Sequence, residues 1–299
     1  MSAQVRVNLE AVIVAVNAAT PRVLTRREDA GCALPAGPFD SMAHATLERG
    51  LRAWVQHSTG FAAGYVEQLY TFGDRQRGGG DAAQQRTLGV AYLALAREQP
   101  LRDARAHWHD IYAFLPWEDW RAQRPPLLDA RIAPALATWA GRDTRRRERC
   151  ALMFGLDGAP WDAERTLERY ELLWEAGLLE ESGATAGIGQ PLVQDHRRIL
   201  ATALGRLRGK LRYRPLVFEL LPETFTLSQM QQVVEALTGR RLHTQNFRRL
   251  VETARLVEAT GSQARAARGR PAALFRFRRE VLRERPQPGV YYPGAWSAQ

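Results

Sequence analysis

The sequence predicts an α+β protein in two parts, in which mixed strands and helices precede a C-terminal winged helix-turn-helix. At 299 residues the chain is long for a single hydrophobic core, so two domains are expected. The charge is uneven: residues 240–285 contain thirteen Arg, no Lys and four Glu, a net charge of +9 where the whole chain carries +10. The third observation is the order of patterns after residue 195, where helices joined by a short connection are followed by two strands.

Composition excludes several classes of protein. An apolar fraction of 45% is ordinary for a folded chain, and two cysteines, Cys32 and Cys150, are too few for a disulfide framework or a cysteine metal cluster. The apolar stretch 9–19 contains the acidic Glu10 and is expected to form a strand rather than a signal peptide. No apolar run is long enough to cross a membrane. We therefore expect a cytoplasmic protein.

The first part alternates between strand and helix patterns. Strands are predicted at residues 8–17, 22–25, 66–72, 87–96 and 106–115, the last running into a loop. Turns or loops are predicted at Thr20-Pro21, residues 32–38 and the glycine-containing segment 75–85. Helices are predicted over residues 42–57, 132–140 and 161–176, with a charged link or helix continuation at 142–149. The apolar stripe of the first of these helices consists of Leu47, Leu51, Trp54 and Val55.

The second part has the pattern of a winged helix-turn-helix. A helix over residues 195–212 is followed by a second one that Thr226 caps and Gly239 ends. The connection 240–243 is short, and His243 or Thr244 opens the next helix. Wing strands are predicted at 256–260 and 272–278, with the tip between them. The predicted domains are residues 1–182, a linker at 183–194, the winged helix-turn-helix at 195–285 and a tail at 286–299.

The candidate DNA-binding residues lie around the second helix of this motif and at the wing tip. A helix-turn-helix places the start of its second helix at base edges, where Gln and Asn suit adenine and Arg suits guanine or phosphate. Wing-tip arginines can enter a minor groove or bind phosphate. The full set is Thr226, Ser228, Arg240, Arg241, His243, Thr244, Gln245, Asn246, Arg248, Arg249, Arg268 and Arg270. The alternative is a solvated basic face on a domain that binds protein.

Three further patterns have simpler interpretations. His107 and His109 with Asp110 lack a third nearby ligand and are expected to be ordinary strand or loop residues. The three glycines at 78–80 lack the Lys-Ser/Thr of a phosphate-binding loop. Trp117, Trp120 and Trp139 are expected in the core, with a nucleotide-flanking role for Trp117 as the alternative.

Residues 34–72 resemble the Nudix fold at the place of its hydrolase signature, G-x5-E-x7-R-E-U-x-E-E-x-G-U with U apolar. With the signature aligned on Thr59-Gly60-Phe61, Ala53-Trp54 replace its R-E pair and His57-Ser58 replace its metal-binding E-E pair. Hard cations such as Mg²⁺ need carboxylate oxygens. The resemblance therefore implies a Nudix-like α/β/α sandwich whose hydrolase centre is lost, with no catalytic residue and no metal, although Glu48 and Glu67 remain.

The second part is similar to that of Nudix-related transcriptional regulators of NAD metabolism, the NrtR-like family, and closest to its NadQ-like alphaproteobacterial group. The motifs are Phe225-Thr226-Leu227, Asn246-Phe247-Arg248-Arg249 and, upstream, the segment 64–74. The resemblance implies a homodimer on a palindromic operator and an adenine nucleotide effector, namely NAD, ATP or ADP-ribose. Relatives continue Phe72-Gly73-Asp74 with Arg-Asp-Pro-Arg, whereas this chain has Arg75-Gln76-Arg77-Gly78, which leaves the effector open.

The leading hypothesis is a dimeric repressor of NAD biosynthesis genes that senses the effector through a non-catalytic Nudix-like domain. The candidate effector-binding residues are Arg26, Arg27, Arg52, Glu67 and Trp117. One alternative is a Nudix-type pyrophosphohydrolase with an altered metal site. A third hypothesis is a nucleic-acid scaffold without sequence preference.

Overall fold

The structure is a computed structural model that describes residues 4–60, 64–73, 85–264 and 271–290. The chain forms two compact units. The sheet unit contains Met1–Ala15, Arg22–Pro116 and Tyr170–Ala203, and the winged-helix unit contains Val16–Pro21, Trp117–Arg169 and Leu204–Gln299. Residues 117–169 thus lie with the winged helix, and the domain bounds predicted from the sequence stay a prediction. None of the helices in the described ranges is both long and apolar enough to span a membrane.

A mixed β-sheet forms the sheet unit. Its strands are β1 (Gln4–Asn17), β2 (Thr20–Glu28), β3 (Gly31–Ala33), β4 (Ala36–Pro38), β5 (Tyr65–Phe72), β6 (Gln85–Leu95) and β7 (Ala106–Asp110). The strand order is β3-β2-β1-β6-β5, with β4 paired to β1 and β7 paired to β2. The central pair β1 and β6 is parallel, and the other recorded pairs are antiparallel. The predicted strands are confirmed except at the end of the last one, predicted over residues 106–115: it stops at Asp110, whose side chain caps a short helix at Ile111–Phe114.

Helix α1 (Leu47–Thr59) packs its apolar stripe into this unit's core. Leu51 and Val55 are buried, and a Cβ added to Gly37 would lie only 2.4 Å from the ring nitrogen of Trp54. The helix begins five residues later than the predicted start at residue 42, because the hydroxyl of Thr46 accepts the N–H of Arg49 and caps it there. Gly60 ends the helix in the left-handed conformation, at φ 81°.

Four other predicted bounds need correction. The turn between β1 and β2 lies at Ala18 and Ala19 rather than at Thr20-Pro21. Residues 32–38, predicted as loop, include the short strands β3 and β4. The charged link at 142–149 opens a separate helix, α4 (Thr144–Phe154), and the helix predicted from residue 161 begins at Thr166 as α5 (Thr166–Glu175). The predicted connection 75–85 falls almost wholly outside the described residues.

The remaining α-helices of the described ranges are short or belong to the C-terminal half. They are α2 (Ile111–Phe114), α3 (Ala133–Ala140), α6 (His196–Leu211), α7 (Leu227–Thr238), α8 (Thr244–Thr253) and α9 (Val281–Glu284). The wing strands are β8 (Val257–Gln263) and β9 (Ala273–Phe277), which pair antiparallel. The α+β class and the predicted order of helix, turn, helix and wing are confirmed.

Candidate nucleic-acid interface

Helix α7, the first helix of the motif, is fixed at both ends by local chemistry. The hydroxyl of Thr226 accepts the N–H of Gln229 at 3.2 Å, and the Gln229 side chain accepts the N–H of Thr226 at 2.8 Å. This reciprocal pair is a capping box, and Gly239 closes the other end in the left-handed conformation. Two residues at the start of α7 were predicted to contact DNA. The Thr226 side chain caps the helix, while Ser228 is exposed.

Helix α8 is strongly two-faced. Phe247 and Val251 are fully buried and anchor one face. The other face carries the predicted base-reading residues, all of them exposed: Thr244, Gln245, Asn246, Arg248 and Arg249. His243 at the N-cap is exposed and makes no side-chain capping bond. The first-turn N–H groups of α8 therefore lack a side-chain cap, and such a helix start suits an anion like a DNA phosphate.

A buried polar network sets the turn that leads into α8. The carboxylate of Glu235, on α7, accepts the backbone N–H of Leu242 at 2.9 Å and the side-chain amide of Gln231 at 2.9 Å. The same amide donates to the Leu242 carbonyl at 2.9 Å and to the Thr244 hydroxyl at 3.3 Å. Glu235 is 4% exposed and also pairs with Arg241 at 3.1 Å. This network was not predicted from the sequence, although Gln231 and Glu235 are two polar residues four apart on an otherwise apolar stripe.

The two arginines of the turn have different environments. The side chain of Arg241 is 71% exposed and remains available to solvent on one side. Arg240 is half-buried, and its guanidinium lies 5.1 Å from the centre of the Trp120 ring. Its Nε and Nη2 are shielded from solvent and have no hydrogen-bond partner within the described part of the chain. Burial, together with the nearby Arg208 and Arg169, lowers the pKa of Arg240.

The wing is attached to the helices through phenylalanines. Phe225 and Phe275 exchange backbone hydrogen bonds of 2.9 and 2.8 Å, and the rings of Phe218 and Phe277 stack at 4.2 Å. The wing-tip candidates Arg268 and Arg270 lie outside the described residues.

A buried ionic cluster supports the C-terminal end of α7. Both oxygens of Glu118 accept from Arg169, at 2.6 and 2.9 Å, and one also accepts from Arg208. All three side chains are completely buried. Arg208 donates further to the Leu237 carbonyl at 3.1 Å, near the end of α7. Burial alone would raise the pKa of Glu118, but the two guanidiniums lower it on balance, so the carboxylate is charged at neutral pH.

The excess positive charge belongs to the winged-helix unit. Of the 42 basic residues, 14 lie in the sheet unit and 28 in the winged-helix unit, whereas the 32 acidic residues divide equally between them. Some wing arginines are neutralised, because Arg276 pairs with Glu258 and Arg278 with Glu284, each at 2.5 Å. The unit as a whole still has the charge expected of a surface that binds phosphate.

Three of the four candidate effector-binding residues in the sheet unit already have partners. Arg26 is paired with Asp103 at 3.0 Å, Arg52 with Glu48 at 2.8 Å, and Glu67 accepts the Tyr65 hydroxyl at 2.5 Å. Arg27 is exposed.

Trp117 belongs to the winged-helix unit and has no exposed surface. It therefore packs in the core, as the first interpretation expected, and offers no face to a nucleotide in this structure.

The described residues contain no group of three or more His, Cys, Asp or Glu side chains arranged to hold a metal ion. At the Nudix box position, His57 is exposed and Glu48 is occupied by its pair with Arg52. The paired histidines of β7 have a local explanation, since the Nδ1 of His109 lies 2.7 Å from the Thr25 hydroxyl. Burial, with smaller contributions from His107 and Arg22, lowers the pKa of His109, which favours a neutral ring.

This fold and surface define a protein in which a mixed-sheet α/β unit accompanies a DNA-binding type of winged helix. Residues 217–277 match the family model of the NrtR DNA-binding winged helix domain. The ADPR responsive transcriptional repressor NtrR of Acinetobacter baylyi is 40% identical over 86 residues, which cover 29% of this chain and 34% of that relative. This chain's match thus spans about a third of the length of the curated relative.

Solved structures show the same fold over nearly the whole chain. The crystal structure of Shewanella oneidensis NrtR complexed with a 27mer DNA is 22% identical and covers 92% of this chain and 94% of that chain, at a TM-score of 0.58. A MutT/nudix family protein from Enterococcus faecalis is 16% identical and covers 93% of this chain and 88% of that chain, at a TM-score of 0.55. The predicted resemblance to Nudix-related, NrtR-like regulators is confirmed, and its Nudix-like first part with it. The closer NadQ-like assignment stays a prediction.

Proposed function

We propose that this protein is a transcriptional repressor that binds DNA through α8 and the wing and responds to ADP-ribose. The observation that carries the proposal is the exposed polar and basic face of α8 within a winged helix of the NrtR type. The Acinetobacter relative is named an ADPR responsive repressor, and the Shewanella NrtR structure contains DNA. The name of the Acinetobacter relative favours ADP-ribose over NAD and ATP as the effector.

On DNA, the start of α8 enters the major groove. Gln245 and Asn246 then face base edges, and Arg248 and Arg249 contact guanine or backbone phosphate. Arg240, Arg241 and His243 lie in the turn before α8, and the proposal assigns to them, and to Arg268 and Arg270, contacts with backbone phosphate. A homodimer would present two such helices to half-sites about 34 Å apart, which fits a palindromic operator. The target genes in this proposal are those of NAD biosynthesis, and its place of action is the cytoplasm.

The sheet unit binds the effector without cleaving it. Arg26, Arg27 and Arg52 supply guanidiniums for a pyrophosphate, and Glu67 supplies an acceptor for a ribose hydroxyl or an adenine amine. Ala53-Trp54 and His57-Ser58 stand where a hydrolase has its basic and carboxylate pairs, so the metal cage is missing from the box. ADP-ribose then acts by binding one state of the protein better than the other.

The test is a gel shift on promoter fragments of NAD synthesis genes, with and without ADP-ribose, NAD or ATP. The proposal is supported if the protein shifts the DNA and if ADP-ribose changes the protein concentration at which half of the DNA is bound. It is contradicted if no DNA is bound at low salt with any of the effectors. A parallel assay of phosphate release from ADP-ribose with Mg²⁺ or Mn²⁺, after phosphatase treatment of the products, tests the pyrophosphohydrolase alternative. Phosphate release in this assay would show that the protein is a pyrophosphohydrolase and would contradict a non-catalytic sensor domain.

A further inference from the structure

We propose that Arg121 is a positioning residue for the recognition helix, tying the β1–β2 turn to the helix-turn-helix and carrying the effector response. This inference rests on the proposed function for its regulatory meaning. The positioning itself rests on contacts that all lie within the winged-helix unit.

Arg121 connects two parts of the backbone that are about a hundred residues apart. Its Nε and Nη2 donate to both oxygens of Asp119, each at 2.8 Å, and its Nη1 donates to the Ala19 carbonyl at 2.5 Å. Burial by itself would raise the pKa of Asp119, but hydrogen bonds and the charge of Arg121 lower it on balance. Both groups of this two-bond pair, the Asp119 carboxylate and the Arg121 guanidinium, are therefore charged at neutral pH. The pair orients the guanidinium toward the turn.

The turn that Arg121 holds is strained. Ala18 and Ala19 both have left-handed backbone, at φ 46° and 63°, in a two-residue connection where Asn and Gly are preferred. A left-handed backbone conformation is unfavourable for alanine, and it is maintained only where surrounding contacts hold the backbone in place. The Arg121 bond to the Ala19 carbonyl is such a contact. Because the turn joins β1 and β2 directly, a shift of these two strands moves the carbonyl that Arg121 binds.

The other side of Arg121 reaches the helix-turn-helix. Arg241 donates from its Nε to the Arg121 carbonyl at 3.3 Å and pairs through its Nη1 with Glu235. Glu235 in turn fixes the backbone N–H of Leu242, two residues before α8.

A parallel connection runs through the neighbouring residue. The Trp120 N–H donates to the Gly239 carbonyl at 2.7 Å, and Trp120 forms a parallel bridge with Arg240. Trp120 and Arg121 are thus both hydrogen-bonded to the turn that leads into the recognition helix.

The variants Arg121→Gln and Arg121→Lys test the inference in the full-length chain. Gln removes the charge, and Lys keeps it but lacks the planar fork that serves Asp119 and Ala19 together. The control is Arg165→Gln, which breaks a single-bond Arg–Asp pair with Asp162, at 3.2 Å in the same unit. If the Gln variant fails to fold, the Lys variant decides.

Three measurements are made on each variant. Hydrogen–deuterium exchange of the segment 240–246 without DNA is expected to become at least threefold faster in both Arg121 variants and to stay unchanged in the control. The affinity for a duplex selected from a random library by the wild type is then measured with and without ADP-ribose. The change caused by ADP-ribose is expected to fall below twofold in the Arg121 variants, while the Kd for ADP-ribose stays within threefold of wild type.

Unchanged exchange over 240–246, or a full ADP-ribose response in a folded Arg121 variant, would overturn the inference. Faster exchange together with a wild type that binds no DNA separates the two proposals: the positioning role is then supported and the repressor function fails.

Discussion

Replacing Glu118 by Gln perturbs the winged-helix unit at its buried ionic cluster. Gln keeps the shape of the side chain but removes the charge that neutralises Arg169 and Arg208, neither of which has any exposed surface. Removing one partner of a buried pair costs about 3–5 kcal/mol, since the remaining charge is left uncompensated. For a domain of 150–250 residues each kcal/mol lowers Tm by about 2–4 °C, so we expect a decrease on the order of 6–20 °C.

The assay is thermal melting at pH 7, with Glu168→Gln as the matched control. Glu168 lies on α5 beside Arg169 but is exposed, and exposed substitutions usually change the free energy of unfolding by less than about 0.5 kcal/mol. An E118Q protein that melts within 2 °C of wild type would refute the reasoning, as would an equal decrease in the control.

The same substitution has a pH signature. The folded pKa of Glu118 lies below its unfolded value of about 4.3, so its stabilisation is present above that pH. It is lost as the pH falls through the folded pKa. Wild type is therefore expected to lose more free energy of unfolding than E118Q when urea titrations are moved from neutral pH to below about pH 4. If the difference in free energy of unfolding between the two proteins does not become smaller in acid, the lowered pKa of Glu118 is contradicted.

Three further predictions concern the interface. Replacing Gln245 and Asn246 together by Ala should weaken binding to a selected duplex at least about tenfold, and binding to random DNA less than about threefold, in anisotropy titrations; equal losses would favour the non-specific scaffold. Glu235→Ala leaves the Leu242 N–H without its acceptor and should lower the free energy of unfolding in urea by about 2–3 kcal/mol. Arg240→Met removes two shielded donors and should leave that free energy unchanged or raise it by about 1 kcal/mol; a decrease above that size would show an unrecognised partner.

The sequence predicted the elements whose signals are local. Thr226, Gly239 and the stripe between them define α7, because caps and apolar spacing act within a few residues. The two-faced character of α8 follows from Phe247 and Val251 in the same way. The arginine-rich composition of the last segment is likewise a property of the sequence alone.

Contacts between distant residues were not predictable in this way. Glu118 meets Arg169 and Arg208 across 51 and 90 residues, and nothing near Glu118 distinguishes it from an exposed acid. The strands β3 and β4 contain Gly and Pro, which have a low intrinsic preference for strands. They form strands because they pair with β2 and β1, respectively. From the sequence, Trp117 could be a core residue or could flank a nucleotide. Only its complete burial in the structure distinguishes the two.

The most direct test of the account is the salt dependence of duplex binding by the full-length chain, measured by anisotropy with and without ADP-ribose. We predict that the affinity falls steeply with salt, with a log–log slope of about −0.9 for each phosphate neutralised and several phosphates in total. We also expect ADP-ribose to change the affinity at least about fivefold in one direction. A slope near zero, or identical affinities with saturating ADP-ribose and without it, would contradict the claim that this is an effector-controlled DNA-binding protein.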